Sequence, residues 1–436
     1  MSDLPVAFLE EMREQLRDEM PAFEAACAQE SVRGVRLNAL KKPMHLLPEG
    51  IGDPIPWCVY GYYLSSDSRC GLHVLHEAGA WYLQEASAML PAAVLDVKPG
   101  ETVLDLCAAP GGKTTQLASA MQGQGLLVAN EIVPKRAQIL SRNVERMGVS
   151  NALVVSAEPA RLAALWPEAF DAVLVDAPCS GEGMFRRHPE TRDEWSPEAV
   201  QGCQMRQREI LESAARMVRA GGRLVYSTCT MNRYENEENA AWFVKTHPDF
   251  ELEAFALPGA DGTDGMFTCY PHRVRGEGQF AARFVRKEGA CQPLKTAPRM
   301  REEKGMRAAI RSAVHTVPDE ISMLGSTLFS LPGCPVLDGL RVLRAGIHLG
   351  EIRKGIFTPD HAWAVNACRP DVACVEVSEE EAVRYLRGET LEIAQESRGY
   401  MLPCYDGLAL GWGKVTDHIL KNHYPKGLRR SVDLSC

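Results

Sequence analysis

Residues 103–118 read Val-Leu-Asp-Leu-Cys-Ala-Ala-Pro-Gly-Gly-Lys-Thr-Thr-Gln-Leu-Ala. Val103–Leu106 is an apolar run of strand length, Pro110-Gly111-Gly112 is a tight turn, and Lys113–Ala118 opens a helix. The same alternation continues downstream. Strand-like Gly125–Asn130 leads to Glu131, and Pro134 stands where a helix reaching Met147 would open. That helix carries Ala137, Leu140, Val144 and Met147 at helical spacing. Further strands are expected at Ala152–Val155, Ala172–Val175 and Arg223–Ser227, with a helix from Pro197 to Val218 before the last of them. Phe280–Val285 is expected to close the layer. Strands alternating with helices of this length predict an α/β fold, a Rossmann-like doubly wound sheet that binds ligands at the carboxyl ends of its strands.

Outside this stretch the chain changes character. An amphipathic segment, Phe8–Met20, and a strand-like Val35–Leu37 predict a small N-terminal α+β domain over residues 1–70, followed by the sheet domain over 71–287. The remainder, 288–436, alternates short strands and turns. Around its start, Arg286–Arg311 sets Arg286, Lys287, Lys295, Arg299, Arg301, Lys304, Arg307 and Arg311 against three glutamates.

Composition bounds the function. The chain has 436 residues, 48 Lys+Arg against 57 Asp+Glu, and a formal charge of −9. An apolar fraction of 45% and a charged fraction of 24% exclude disordered, collagen-like and coiled-coil classes for most of it. No apolar run approaches the ~18 residues of a membrane span. The N-terminus lacks a basic-then-apolar export signal, so a soluble cytoplasmic protein is expected. The 14 cysteines form no Cys-x-x-Cys pair, which argues against a zinc ribbon or disulfide scaffold, and no metal is expected. On an acidic body, any RNA contact must come from local basic patches.

The glycine-rich turn, Cys107-Ala108-Ala109-Pro110-Gly111-Gly112-Lys113-Thr114, sits between strand and helix, where backbone N–H groups and the helix dipole favour an anion. A phosphate-cradling loop would need glycine where Cys107 stands, and the adjacent Gly111-Gly112 pair does not give the dinucleotide pattern. S-adenosylmethionine fits better, since its carboxylate and amino group need a tight turn and its ribose needs an acid on the next strand. Glu131 meets that need by the logic of the ribose acid in dinucleotide folds. The bland alternative makes Glu131 a surface acid and Gly111-Gly112 an ordinary turn.

Two further loops end strands on the same edge. Asp176-Ala-Pro-Cys179-Ser-Gly181 follows Val173–Val175, and Ser227-Thr-Cys229-Thr230 follows Arg223–Tyr226. A thiolate in such a cleft suits attack on a ring carbon. Addition of sulfur to C6 of a pyrimidine turns C5 into an enamine carbon that can take a methyl group. Asp176 would hydrogen-bond the ring edge at N3. Taken singly, either cysteine reads as a small buried hydrophobe and Asp176 as a loop-tying carboxylate; paired loops ending Pro-Cys and Thr-Cys weaken both readings. A free thiol near pKa ~8.5 is only a few per cent ionised at neutral pH, so the site must help Cys229 lose its proton.

These motifs, with Tyr82–Met89 before them and Glu235-Asn236-Glu237 after, resemble the Sun (nucleolar protein/Sun-domain) family of S-adenosylmethionine-dependent RNA cytosine-5 methyltransferases over residues 80–285. Pro271-His272-Arg273, Gly276-Glu277-Gly278, Asp406–Lys414 and Lys421–Arg429 are similar to that family's bacterial F group, which acts on small-subunit (16S) ribosomal RNA. The resemblance implies an RNA-binding N-terminal domain and a PUA-like RNA-binding module near the C-terminus. It implies Cys229 as covalent nucleophile, Cys179 as the cysteine assisting product release, and Cys107 to Lys113, Glu131, Glu158 and Asp176 at the cofactor. Glu158 stands where an aspartate is common, and Lys113 is placed near the reacting base.

RNA phosphates flanking the target are expected on Arg186, Arg187 and His188, on the Arg286–Arg311 stretch, and on the tail residues Lys414, Lys421, Lys426, Arg429 and Arg430. Tyr424 and Trp412 are candidates for base stacking. The competing reading is a solvated charge run with core aromatics. The expected partner is RNA, ribosomal before transfer RNA, with a monomeric protein and no membrane. A nucleotide hydrolase and a non-catalytic RNA-binding assembly factor remain as alternatives.

Overall fold

The computed structural model describes residues 4–41, 46–289, 294–298, 300, 304–394 and 397–429. At its centre is a nine-stranded sheet. Its strands, in chain order, are β1 (Thr102–Asp105), β2 (Leu126–Asn130), β3 (Ala152–Ser156), β4 (Phe170–Asp176), β5 (Val218–Thr228), β6 (Phe250–Leu252), β7 (Met266–Cys269), β8 (Gln279–Arg286) and β9 (Arg341–Ala345). They lie side by side in the order β6-β8-β5-β4-β1-β2-β3-β9, with β7 also paired to β8. The five strands β3, β2, β1, β4 and β5 are parallel, while β8 and β9 run antiparallel at either side. The doubly wound sheet expected from the alternation is present.

Parallel strands are covered on both faces, and the residues show why. Val103, Leu127, Ala129, Val154 and Leu174 point into one core, whereas Leu104, Val128, Leu153, Val173 and Val175 point into the other. The covering helices are α1 (Gly112–Met121), α2 (Pro134–Arg146), α3 (Pro159–Leu165), α4 (Pro197–Ala215) and α5 (Glu237–Thr246). Proline opens α2, α3 and α4, where its missing N–H costs nothing. The stripe Ala137, Leu140 and Val144 is buried, as its spacing requires.

The sheet does not stop at Phe280–Val285. On its far edge β9, which comes from well beyond residue 287, pairs with β3, and Arg344 reaches from it to Glu145 and Ser141 of α2. A stretch expected to belong to the separate C-terminal region, 288–436, thus contributes a strand to the central sheet. The cause is the exposed hydrogen-bonding edge that β3 would otherwise present.

Ahead of the sheet, helices Val6–Leu16 and Met20–Cys27 precede a four-stranded antiparallel sheet of Arg33–Leu37, Ile51–Pro54, Gly61–Leu64 and Trp81–Leu83. Its last strand lies beyond residue 70. Phe8, Met12, Leu16 and Phe23 pack against Phe185, Trp195, Val200 and Met231, which follow the two cysteine loops. Beyond β8, a four-stranded sheet from Ser322 to Pro359 and a six-stranded one from Cys374 to Asn422 form the C-terminal part. No described helix is long and apolar enough to cross a membrane.

Ending the chain at residue 287 would leave the Ala152–Ser156 edge unpaired. The shortened protein is expected to aggregate, or to melt several degrees lower, in scattering and thermal-denaturation experiments. A monomer of unchanged melting temperature would show that β9 contributes nothing to the sheet.

Candidate active site

Four strand ends build the site. Asp105 closes β1, Asn130 closes β2 and Asp176 closes β4, while Cys229 follows β5 directly. Parallel pairing sets Asp176 opposite Ser227, so the loops after β4 and β5 leave the sheet side by side. The result is contact between the two thiols: Cys179 Sγ lies 3.2 Å from Cys229 Sγ.

Both loops are tied down from behind. Gly183 N donates to the carbonyl of Cys229 (3.0 Å), and the Ser180 and Thr230 hydroxyls are 3.0 Å apart. Buried Glu235 accepts from Ser180 N, Gln207 and Asn232. Buried Glu182 accepts from Met231 N, Asn232 N and the Trp195 indole. Burial raises the pKa of Glu235, which these donors only partly offset. Gly183 packs so closely against the Gly278 backbone that neither position has room for a side chain.

The hydrogen bond with Cys229, followed by burial, pushes the Cys179 thiol well up. Cys179 is therefore held as the neutral thiol. Lys113 Nζ donates to Asp176 Oδ2 at 2.8 Å. Burial works against its charge, but Asp176, and after it Cys229, more than compensate and its pKa is raised. A fixed ammonium thus stands within electrostatic reach of the Cys229 sulfur.

The glycine-rich turn enters α1 through Gly111, whose φ of 113° suits only glycine. Arg36, from the N-terminal sheet, is 1% exposed and donates to the Gly112 carbonyl (3.1 Å), the Thr115 hydroxyl (2.6 Å) and Gln84 (3.2 Å). Burial lowers its pKa to about 10, so it remains charged at neutral pH.

A cavity of about 670 Å³ runs along the strand ends and reaches both cysteines. Of the expected cofactor positions, Cys107, Ala109, Glu131, Glu158 and Asp176 line it, whereas Ala108, Pro110, Gly111, Gly112 and Lys113 do not. Glu131 is 3% exposed, accepts from Val133 N and faces Arg136 at 3.4 Å. Ile132, Arg136, Arg206, Glu209, Ile210 and Ser213, which no sequence motif marks, also line this wall. The last four recur at positions i, i+3, i+4 and i+7 of α4, a one-face spacing that could have exposed them.

Several expected RNA contacts take other roles. The Arg186 side chain is only 8% exposed, bound to Glu277 Oε2 (2.7 Å) and donating to the carbonyls of Ala26 and Gly276, so its guanidinium is already engaged within the fold. Tyr424 and Trp412 are core aromatics; the Trp412 indole donates to the carbonyl of Asp360. Arg286 is held by Glu168 and Asp249, and Lys287 donates to the carbonyl of Pro248. Arg187, Lys421, Lys426 and Arg429 are exposed, His188 is exposed beside Glu190, and Lys414 lies across from Lys421 on a hairpin. Arg299, Arg301 and Arg430 lie outside the described residues.

Comparison with known proteins adds the lineage. Residues 92–285 match the family described as 16S rRNA methyltransferase RsmB/F. Residues 4–86, 308–366 and 372–430 match, respectively, the N-terminal domain, the first C-terminal domain and the PUA domain described for methyltransferase RsmF. The chain is 35% identical to a ribosomal RNA small subunit methyltransferase F of Cronobacter sakazakii, over 98% of its own length and 96% of that protein's. It is 32% identical to one from Aliivibrio fischeri, covering 99% and 98%. Among solved structures, a methyltransferase homolog protein from Pyrococcus horikoshii superimposes with a TM-score of 0.55 at 28% identity, over 65% of this chain and all (100%) of that one. NSun6 from the same organism, at 21% identity, shares the fold (TM-score 0.55; 65% of this chain, 99% of that one).

Asp105 gives a pH test. It is fully buried, takes a bond from the Thr114 hydroxyl at 2.7 Å, and its Oδ1 has no hydrogen-bond partner among the described residues. Burial pushes its pKa up to about 7, against 3.8 when solvated. The folded state then binds a proton that the unfolded state releases between those values, so ionised Asp105 destabilises the protein increasingly as pH rises through that window. Asp105→Asn is expected to gain melting temperature relative to wild type on going from pH 5 to pH 8. A constant difference would show that the carboxyl does not titrate there.

Proposed function

The chain belongs to the ribosomal RNA small subunit methyltransferase F family, and from that premise we propose that it methylates C5 of a cytosine in small-subunit ribosomal RNA through transient attachment of Cys229 to C6. The contact between the Cys179 and Cys229 sulfurs, on the wall of the cavity that Glu131 also lines, carries this reading.

The cofactor is S-adenosylmethionine, and the residues fit it. Glu131, buried at the end of β2 and open to the cavity, would take the ribose hydroxyls. Ile132, Pro159 and Ile210 offer apolar wall for the adenine, and Cys107 and Ala109, the part of the glycine-rich turn that lines the cavity, would face the amino-acid end. When bound, the cofactor supplies an electrophilic methyl group.

The chain's own residues do the rest. The target base must leave its stack, at a cost of a few kcal/mol that is smaller in a loop or junction. Cys229, as thiolate beside Lys113, forms the bond to C6, and the electron pair of the C5–C6 double bond moves to C5. Asp176 is fixed by Lys113, Ser227 and Gln279; the proton that Cys229 loses is taken up at N3, whose N–H the carboxylate then accepts, and it leaves N3 again when the sulfur departs. After methylation C5 loses its proton to a base, the C6–sulfur bond breaks, and Cys229 leaves as thiolate. Cys179 retains its proton and touches the departing sulfur, which suits it to assist that release. Arg187 and the tail cations Lys414, Lys421, Lys426 and Arg429 are exposed and free to meet phosphates along the RNA.

Cys229→Ala should reduce methyl transfer to background while leaving S-adenosylmethionine binding within about twofold by calorimetry. Cys179→Ala should accumulate a covalent RNA–protein adduct on denaturing gels. Normal turnover by the first variant would sink the mechanism; normal rates without adduct in the second would remove the release role.

A further inference from the structure

Gln279 opens β8, is 2% exposed and lies on a strand that no motif in the sequence reading placed at the site. Its Nε2 donates to Ser227 Oγ at 2.5 Å and to Asp176 Oδ1 at 3.3 Å, and Ser227 Oγ donates to the same Oδ1 at 3.1 Å. We propose that Gln279 is a positioning residue for Asp176, orienting its carboxylate toward the pyrimidine through Ser227; the inference rests on the role of Asp176 proposed above.

Ser227 has one hydroxyl proton and gives it to Asp176, so its oxygen must accept from another group. The Gln279 amide, with two protons, serves Ser227 with one and Asp176 with the other. The opposite amide orientation would set its carbonyl oxygen against the carboxylate. Together with Lys113 on Oδ2, three donors converge on Asp176. A carboxylate offers roughly four acceptor directions, so about one remains for a substrate N–H. Removing Gln279 frees the Ser227 hydroxyl to turn away and releases Oδ1, loosening the group that must meet the ring edge. Gln279 and Ser227 themselves stand behind the cavity wall that Asp176 lines, so S-adenosylmethionine affinity should change by no more than about twofold.

Two isosteric-length variants separate positioning from mere packing. Gln279→Met keeps length and volume without a donor, and Gln279→Glu keeps shape but faces Asp176 with a second carboxylate. Single-turnover methyl transfer is measured on small ribosomal subunits purified from cells lacking the gene, with S-adenosylmethionine affinity and melting temperature alongside. For Gln279→Met the rate should fall roughly tenfold, the effect of losing hydrogen bonds to a charged group, with half-saturation for both substrates within about twofold. Gln279→Glu should be slower still at pH 8 and approach Gln279→Met at pH 6, as the facing carboxylates come to share a proton. Ser227→Ala, which removes the relay hydroxyl from another strand, should give the same rate loss and serves if a Gln279 variant does not fold. A wild-type rate in Gln279→Met and Ser227→Ala, a loss confined to RNA half-saturation, or a pH-independent ratio of the two Gln279 variants' rates would overturn the inference while leaving the reaction intact. Wild-type protein that transferred no methyl group to the subunits would instead overturn the proposed function, and the inference with it.

Discussion

The register of β4 against β5 governs the site. With Asp176 opposite Ser227, three residues on one strand and two on the other bring Cys179 and Cys229 into contact. A slip of one residue would turn every side chain of a strand to the other face and separate the thiols. Such a slip is opposed by the two cores, because Val173, Val175 and Leu224 face one and Ala172, Leu174 and Val225 the other. The burial that stabilises the sheet therefore also sets the sulfur–sulfur distance.

Holding two thiols together on loops takes more than strand ends. The loops carry irregular backbone into the interior, where unpaired groups are costly. Glu182 and Glu235 meet that need as acceptors for backbone N–H groups and side-chain donors from both loops. The N-terminal segment closes the arrangement from outside: Phe8 packs edge-on against Phe185 at 5.2 Å, and the Gln15 amide donates to the carbonyl of Met231. Arg36 does the same for the cofactor turn. Removing a buried guanidinium's partners or the guanidinium itself typically costs several kcal/mol, so the N-terminal sheet and the turn stand or fall together. The N-terminal part is therefore a support for the site as well as a domain of its own.

Much of this was legible. Periodicity gave the parallel strands and helices because double-sided burial leaves uninterrupted apolar runs, and the three loops were found because they follow those runs. The strand β9 was hidden: Arg341–Ala345 mixes arginines with apolar residues and lies some 185 positions from Ala152–Ser156, its partner. Nothing local announces such a pairing. Arg186 was misread for a related reason. A charged residue beside a catalytic loop looks like a phosphate ligand until its buried partner, Glu277, arrives from a strand lead-in 91 positions away. Gln279 escaped notice because its partners, Ser227 and Asp176, lie on other strands and meet it only across the sheet.

The contrast between Arg186 and Arg187 shows how an acidic protein can still hold RNA. Adjacent in sequence, one is sequestered by a carboxylate and two carbonyls while the other faces solvent. Each buried acid that takes up a buried cation removes both charges from the surface, so the field felt by RNA depends on which cations stay outside and not on the total of −9. Lys414 and Lys421, held opposite each other on one hairpin, repel each other, a cost that a phosphate placed between them would relieve. Local spacing of unpaired cations, rather than net charge, is thus what an acidic enzyme has available to grip a polyanion while keeping an acid-lined pocket for a cationic cofactor.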